Sequence, residues 1–133
     1  MMEICRVSTA NVHLSASQEL IVTWENGEEN KHHTKKEYLK ILTDGEYKVA
    51  YEIKWKHVES TSQPLQLTIY RITKDFQMIA LHQHATVCVG NPITVRKNFP
   101  FQLKKGDRIC VAAKNFSSVN FLLIDSKLSL TQL

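Results

Sequence analysis

The residues whose spacing comes closest to a chemical site are two histidines. His82 and His84 are separated by one residue, and on a β-strand such a pair shares one face with side chains about 7 Å apart. Two metal ligands can use that spacing, but a zinc-type site needs at least a third. The sequence places no other histidine beside them, and residues 81–90 contain no acid. We therefore interpret the pair as surface histidines and predict no metal and no cofactor.

Other catalytic sites lack their usual sequence context. Serine, cysteine, histidine and aspartate are present, but no Gly-x-Ser-x-Gly elbow surrounds a serine. The four glycines are spread along the chain, which excludes a Gly-rich phosphate loop. The paired carboxylates Glu28 and Glu29 lie in a polar stretch, where solvation accounts for them. The sequence therefore predicts a protein that is not an enzyme.

Cysteine usage leaves the redox state open. Cys5, Cys88 and Cys110 form no Cys-x-x-Cys motif, so a zinc knuckle and a thioredoxin-type site are both excluded. One disulfide with a spare thiol, or three free thiols, are both compatible with the sequence. Asn115 begins an Asn-x-Ser triplet, which predicts a glycosylation site and is consistent with secretion.

Charge and length exclude further classes. The 133 residues carry 17 basic and 13 acidic side chains, a net charge of +4. The basic residues are scattered among acids, whereas nucleic-acid binders usually concentrate them on one surface. No apolar run approaches the roughly 18 residues of a membrane span. We predict one domain over residues 1–133, with no nucleic-acid partner.

Alternation of apolar and polar residues predicts the elements that must position any site. Residues 47–55 place Tyr, Val, Tyr, Ile and Trp at every second position, with mostly charged residues between them. That period of two indicates a half-buried strand. A similar alternation predicts a strand at 65–70, and shorter, more apolar runs predict strands at 108–113 and 119–124. Residues 20–24 and 38–42 complete the predicted strands. Gly106 and Asp107 form a tight-turn signal directly before one of them. Short strands separated by such turns indicate an all-β sandwich or barrel.

Several segments resemble those of tumour necrosis factor (TNF) ligands. Residues 101–109, FQLKKGDRI, resemble the F-x-L-x-x-G-D-x-L signature that precedes the penultimate strand in that family. Residues 45–53 resemble its G-x-Y-x-V-Y-x-Q-V strand, and residues 39–42 are similar to a stretch in ligands of the glucocorticoid-induced TNF receptor. Residues 68–77 resemble the fourth strand and following loop of TNF itself. In all, the resemblance covers about residues 38–124.

The resemblance implies an antiparallel jelly-roll β-sandwich and a cytokine role. Members of this family cluster TNF-receptor-superfamily ectodomains, here in immune co-stimulatory signalling. They are secreted or are the outer parts of type II membrane proteins, so any membrane contact would come from an N-terminal anchor absent from this sequence. Receptors bind along grooves between protomers, and an aromatic on the loop after the fourth strand is a common contact. Phe76 matches that position and is flanked by Lys74 and Asp75, so these three are the predicted receptor-binding residues.

The resemblance also implies self-association. The strand face that meets sister chains in the family corresponds here to Lys48, Ala50 and Glu52, with Asn120 where an aromatic is expected. Phe101 and Phe121 are available for packing and complete the predicted oligomer interface. Unpartnered charges are costly to bury, so we expect a loose trimer or an atypical dimer.

Two other folds fit part of the pattern. A C1q-like head domain shares the jelly roll but lacks the signature of residues 101–109. An intracellular lipid-binding barrel has a similar length, but it needs a helical pair near its start and a hollow interior. Residues 7–19 show no helical stripe.

Overall fold

The structure is a computed structural model that describes residues 2–9, 11–24, 26–27, 32–57, 63–88, 92–117 and 119–133. The paired carboxylates Glu28 and Glu29 lie outside the described residues. The described chain contains thirteen strands: β1 Met2–Ser8, β2 Asn11–Leu14, β3 Glu19–Ile21, β4 Asn26–Gly27, β5 His33–Lys35, β6 Tyr38–Lys40, β7 Gly45–His57, β8 Gln63–Ile72, β9 Met78–Cys88, β10 Ile93–Leu103, β11 Arg108–Asn115, β12 Phe121–Ile124 and β13 Lys127–Gln132. None of the described residues forms a helix that could cross a bilayer.

The strands form two sheets whose described pairs are all antiparallel. Sheet I runs β4-β1-β13-β7-β10. On the edge of β7 that faces β13, β12 pairs with the C-terminal residues of β7, and β2 pairs with β12. Sheet II runs β5-β6-β11-β8-β9, with β3 also paired to β11. The predicted all-β antiparallel sandwich is therefore confirmed.

Period two along β7 divides its side chains between the core and the outer surface. Its inward-facing residues are almost completely buried: Tyr47, Val49, Tyr51, Ile53 and Trp55. The alternate residues are partly exposed or exposed. Inward residues of sheet II, such as Leu67, Ile69 and Val111, join the same apolar cluster. The interior is filled, with Trp24 and Trp55 fully buried, and is not the ligand-holding hollow that the lipid-binding alternative requires.

Two strand paths are interrupted at the same level. Between β12 and β13, Asp125 takes a positive φ of 46° and Ser126 is buried. The Ser126 carbonyl accepts from the Thr9 backbone N–H at 2.9 Å, and its hydroxyl accepts from the Lys54 N–H at 3.1 Å. Thr9 lies between β1 and β2. The two breaks therefore face each other and keep their polar groups satisfied.

The backbone conformation of Gly106, in the turn before β11, can be tested by substitution. Its φ of +92° is a conformation that side-chain-bearing residues rarely adopt, and an added Cβ would lie 2.4 Å from Lys74 Cε. The lysine chain can move, so backbone strain dominates the cost. We expect Gly106→Ala to lower the free energy of unfolding by about 1–2 kcal/mol, measured by chemical denaturation.

Gly45 is the matched control for this variant. Its added Cβ would lie 3.3 Å from Gln132 Nε2, and its φ is outside the left-handed region. Gly45→Ala should therefore change stability much less. Equal losses in the two variants would contradict the role assigned to the Gly106 conformation.

Candidate functional site

Three connections meet at one end of the sandwich and form what we call the loop end. They are residues 41–44, 73–77 and 104–107. Backbone bonds join the first to the third: the Gly106 N–H donates to Ile41 O, and the Ile41 N–H donates to Asp107 O, both at 2.8 Å. The Lys105 N–H also donates to Asp44 Oδ1 at 2.7 Å. These bonds fix the two loops relative to each other.

Asp107 explains why the turn carries a Gly-Asp pair. Its buried carboxylate accepts the Lys104 backbone N–H at 2.9 Å, which closes the turn through its own side chain. Arg71 Nε lies 3.5 Å from the same oxygen, a charge pairing that does not meet hydrogen-bond geometry. Gly106 supplies the left-handed conformation. The tight turn predicted at Gly106 and Asp107 is confirmed.

The loop between β8 and β9 is a short hairpin turn that holds an aromatic in an unusual conformation. The Phe76 N–H donates to Thr73 O at 2.9 Å, and the Thr73 N–H donates to Gln77 O at 3.0 Å. The Gln77 N–H also donates to Thr73 Oγ1 at 3.2 Å. Phe76 has φ of +62°, at the position where such hairpins favour glycine. The loop therefore holds a phenylalanine in a conformation that glycine would adopt at lower cost.

The Phe76 ring is displayed on the outer surface. It is 75% exposed, and the Arg108 guanidinium lies 5.5 Å from its centroid. The same guanidinium lies 6.0 Å from the centroid of the Tyr38 ring, so one cation is within cation–π distance of two aromatic rings. Met78 and Ile79 beside it are also exposed. By register, Met78 shares the outward face of sheet II with Arg108, whereas Ile79 lies opposite Arg71 on the other face. We call Phe76, Met78, Arg108 and Tyr38 the Phe76 surface.

The sequence analysis missed three members of this surface. Arg108 and Tyr38 come from different strands, and the pairing of Arg108 with Lys40 brings them together. Met78 follows the turn at the start of β9. The sequence carries no signal for that juxtaposition, because strand pairing is a long-range property. The exposed aromatic itself was the only clue.

The Phe76 loop borders a depression of about 510 Å³ that is rich in charge. Two of its carboxylates already have partners, since Asp107 forms a charge pair with Arg71 and Asp44 accepts a hydrogen bond from the Lys105 backbone N–H. The ammonium groups of Lys74, Lys104 and Lys105 have no ion pair among the described residues. Lys74 and Asp75, predicted with Phe76, are both exposed on the loop.

The outward face of sheet I carries the three β7 residues predicted to meet a second chain. Lys48, Ala50 and Glu52 lie on this face and are partly exposed. Glu52 is not alone: Arg96 Nη2 lies 3.3 Å from its Oε1 across the β7–β10 pair. The small side chains of Ala50 and Ser129 lie opposite each other and help form a depression of about 290 Å³ lined mainly by charged residues.

The other three predicted interface residues are placed differently. Phe121 is 1% exposed and packs in the core, because its strand position points inward. Phe101 is half-buried in the inward row of β10, with its ring 6.2 Å from that of Phe99. Asn120 is exposed, and its side-chain oxygen accepts the Ala16 N–H at 2.9 Å. The core position of Phe121 removes its side chain from any surface that a second chain could contact.

Asn115, the predicted glycosylation site, is buried. Its side-chain nitrogen donates to Val119 O at 2.7 Å and to Ser15 O at 3.1 Å, with a longer contact to Leu14 O. Its oxygen accepts from both the backbone N–H and the hydroxyl of Ser117. A glycan on this nitrogen would have to be attached before folding and would disrupt these bonds. Glycosylation at Asn115 stays a prediction, and the structure gives the residue a packing role.

The His82–His84 pair lies on the inward face of β9. Both rings are half-buried, and His82 stacks on Phe99 with ring centroids 3.8 Å apart. Burial, with Lys97 and His82 nearby, lowers the pKa of His84. Among the described residues, no group of three or more His, Cys, Asp or Glu side chains is arranged to hold a metal.

Two of the cysteines are free thiols in buried positions. Burial, with a smaller effect of Glu3, raises the pKa of Cys5 to about 11. Burial, with Glu37 adding to it, raises the pKa of Cys110 to about 12. Such thiols are protonated and unreactive at neutral pH. The side chain of Cys88 lies outside the described residues.

Comparison with known proteins agrees with this architecture. No protein-family model matches the chain, and no curated protein matches it. A solved structure described as Eiger TNF from S. frugiperda is similar, with a TM-score of 0.70 over 98% of this chain and 92% of that one. The fold is a TNF-like jelly roll. At 16% sequence identity, the likeness establishes the fold. It does not identify a binding partner for this chain.

The packing role of Asn115, which lies at the end of β11 away from the Gly106 turn, can be tested by substitution. Asn115→Ala removes a buried donor and a buried acceptor and leaves their partners unpaired, so we expect a loss of roughly 3 kcal/mol in unfolding free energy. Asn120→Ala, which loses one exposed bond, should cost about 1 kcal/mol or less. Chemical denaturation measures both. Equal stability of the two variants would contradict the packing role.

Proposed function

We propose that this chain is an extracellular TNF-type cytokine ligand that binds a TNF-receptor-superfamily ectodomain through the Phe76 surface. The observation that carries the proposal is the exposed phenylalanine held at a positive φ. An apolar ring in water and a strained backbone both cost free energy, so neither is explained by stability of the isolated domain. A binding partner that covers the ring would account for both.

The surroundings of Phe76 are those of a protein-binding surface. Hot spots in interfaces are enriched in aromatic residues and arginine, with less critical contacts around them. Phe76 and Arg108 provide such a pair, and Met78 extends the apolar area. Lys74, Asp75 and the neighbouring lysines form a charged rim. Charges of this kind favour rapid encounter and selectivity among partners.

The proposed mechanism is clustering rather than catalysis. A rigid sandwich presents its loop end to a receptor, and association of several ligand chains brings several receptors together. Linked binding of this kind can raise the overall affinity by about 10²–10⁴ fold over one contact. The TNF-like fold supports this role and a secreted or cell-surface location. We include the co-stimulatory class of receptors, suggested by the resemblance of residues 39–42, in the same proposal.

The test is binding to a panel of TNF-receptor ectodomains by surface plasmon resonance. For a receptor that binds, we expect Phe76→Ala to weaken affinity by roughly thirtyfold, the effect of losing a hot spot of about 2 kcal/mol. Thermal stability should hardly change, because the ring is exposed. Phe76→Gly should lose binding equally and be more stable than Phe76→Ala, since glycine adopts the positive φ freely.

Phe116 supplies the matched control. It is also an exposed aromatic beside a cation, with Lys114 Nζ 5.0 Å from its ring, but it follows the opposite end of β11. Phe116→Ala should leave receptor affinity unchanged. Equal losses from the Phe76 and Phe116 variants would refute the assignment of the Phe76 surface, and no binding to any receptor of the panel would refute the proposed function.

Self-association through the outward face of sheet I is proposed as weak. Glu52 and Arg96 would have to lose water on burial, and replacing a buried ion pair by apolar residues is often stabilising by 1–4 kcal/mol. We therefore expect the protein to dissociate at nanomolar concentration. Replacing the pair by Glu52→Leu and Arg96→Leu should tighten association about tenfold or more, measured by sedimentation.

The exposed pair on sheet II is the control for this experiment. Lys114 Nζ lies 3.9 Å from Glu19 Oε2, and the corresponding double leucine variant should not change association specifically. If both double variants associate to the same degree, the effect is general stickiness and the sheet I face is not the interface. A stable trimer of the unaltered protein at nanomolar concentration would also overturn weak association.

A further inference from the structure

The two sheets end on the same side of the sandwich. Among the described strands, β9 is the last of sheet II and β10 the last of sheet I. The stacked rings of His82 and Phe99 join these two strands across the gap between the sheets. We call this gap the edge cleft. It is separate from the loop end, and it adjoins the depression on the outward face of sheet I, which Lys97 and Tyr51 also border.

Basic groups are concentrated in the edge cleft. Lys97 lies in the inward row of β10, between Val95 and Phe99, and is half-buried. His84 lies within electrostatic reach of both Lys97 and His82. Lys97 forms no ion pair among the described residues. One permanent cation and two titratable rings therefore share a partly desolvated space without a carboxylate among the groups acting on His84.

Two polar atoms bordering this space lack partners. Nδ1 of His82 is buried and has no hydrogen-bond partner among the described residues. The hydroxyl of Tyr51, whose strand position lies directly opposite Lys97, is likewise buried and unpartnered there. Burial raises the pKa of Tyr51 to about 12, so it remains a potential donor. Buried polar atoms without partners are rare in folded proteins and call for a bound group or a water molecule.

The remaining walls offer no competing charge. From β8, Leu67 and Ile69 lie opposite His84 and His82. Glu52 and Arg96, the charged neighbours of Tyr51 and Lys97 in sequence, point to the outward face and pair with each other. Within the part of the chain that the structure describes, the titratable and charged groups that border the cleft are His82, His84, Lys97 and Tyr51, all able to donate a hydrogen bond.

We infer that the edge cleft, lined by Lys97, His84 and His82, is a binding site for an oxyanion such as a carboxylate, sulfate or phosphate group. An oxyanion would supply the negatively charged partner that Lys97 does not have among the described residues. It would also supply acceptor atoms for the imidazole N–H groups. Protonation of His84 adds positive charge, so binding tightens as the pH falls toward the lowered pKa of this residue. Two sources share this chemistry: a free anion, or an acidic side chain of a second copy of this chain.

The pKa values of individual histidines, followed by NMR, test the site. Inorganic sulfate is the probe, with chloride at matched ionic strength as reference. Saturating sulfate should raise the pKa of His84 by on the order of one unit, as a nearby opposite charge does. By linkage, the protonated protein then binds sulfate about tenfold more tightly. His13 and His32, which lie elsewhere, serve as internal references.

Variants at Lys97 separate a specific site from general screening. Lys97→Gln should raise the starting pKa of His84 by removing a neighbouring cation, and should abolish its response to sulfate. Lys97→Arg should retain that response. Circular dichroism and thermal unfolding check that both variants are folded. Because the readout is a pKa, it does not depend on whether a receptor binds.

Protein concentration distinguishes the two sources. If an acidic side chain of a second copy fills the cleft, the pKa of His84 should rise with protein concentration in chloride alone. If a free anion does so, only added sulfate has this effect, and either result supports the site. The inference is overturned if sulfate and protein concentration both move the pKa values of His82 and His84 no more than that of His13.

Discussion

The pairing of β7 along both of its edges is the constraint on which the rest of the structure depends. On one side it pairs with β10 from end to end, and on the other with β13 and then β12. Its inward side chains fill the centre of the sandwich, so its register decides which residues of three neighbouring strands face the core. A slip by one residue would exchange the faces of all of them. The charged outward face of sheet I is therefore a direct consequence of the apolar inward one.

The loop end depends on a second constraint, the turn at Gly106 and Asp107. The buried Asp107 carboxylate closes its own turn and lies beside Arg71, which comes from the strand leading into the Phe76 loop. The side chain of Lys74 packs against Gly106. Two loops that are distant in sequence are thereby held together. These contacts support the loop in which Phe76 takes an unfavourable positive φ.

Much of this fold follows from local sequence patterns. Alternation predicts β7 and β8 because one face of each is apolar and the other is not, and a short apolar run predicts β11. The Gly-Asp turn is predicted because its chemistry is local. By contrast, β10 was not predicted as a full strand: its inward row includes Lys97, and its outward row includes Pro100. The last strand, β13, was not predicted because the polar residues Asp125 and Ser126 look like the end of the strand region. In the structure they separate β12 from β13, which follows directly.

The candidate functional residues were less predictable than the strands, because their positions depend on long-range strand pairing. Phe76 could be identified because the loop signal surrounds it, but Arg108 reaches it through sheet pairing. Phe121 was assigned to a surface because sequence gives alternation without fixing which row faces inward. Asn115 resembles an exposed sequon, yet its amide is used inside the fold. Positions set by long-range register are those where sequence patterns alone give an ambiguous answer.

The two terminal strands limit how copies of this chain can meet. Long unpaired edges invite pairing with another chain, and proteins prevent this with charges, prolines and inward-pointing polar residues. Here β10 carries Pro100 and an inward-pointing Lys97, and β9 carries His82 and His84 on the corresponding face. Extension of either sheet into a second copy would bring these groups closer together. Association through the outward face of sheet I, as proposed above, would avoid this cost, since Glu52 and Arg96 pair with each other there.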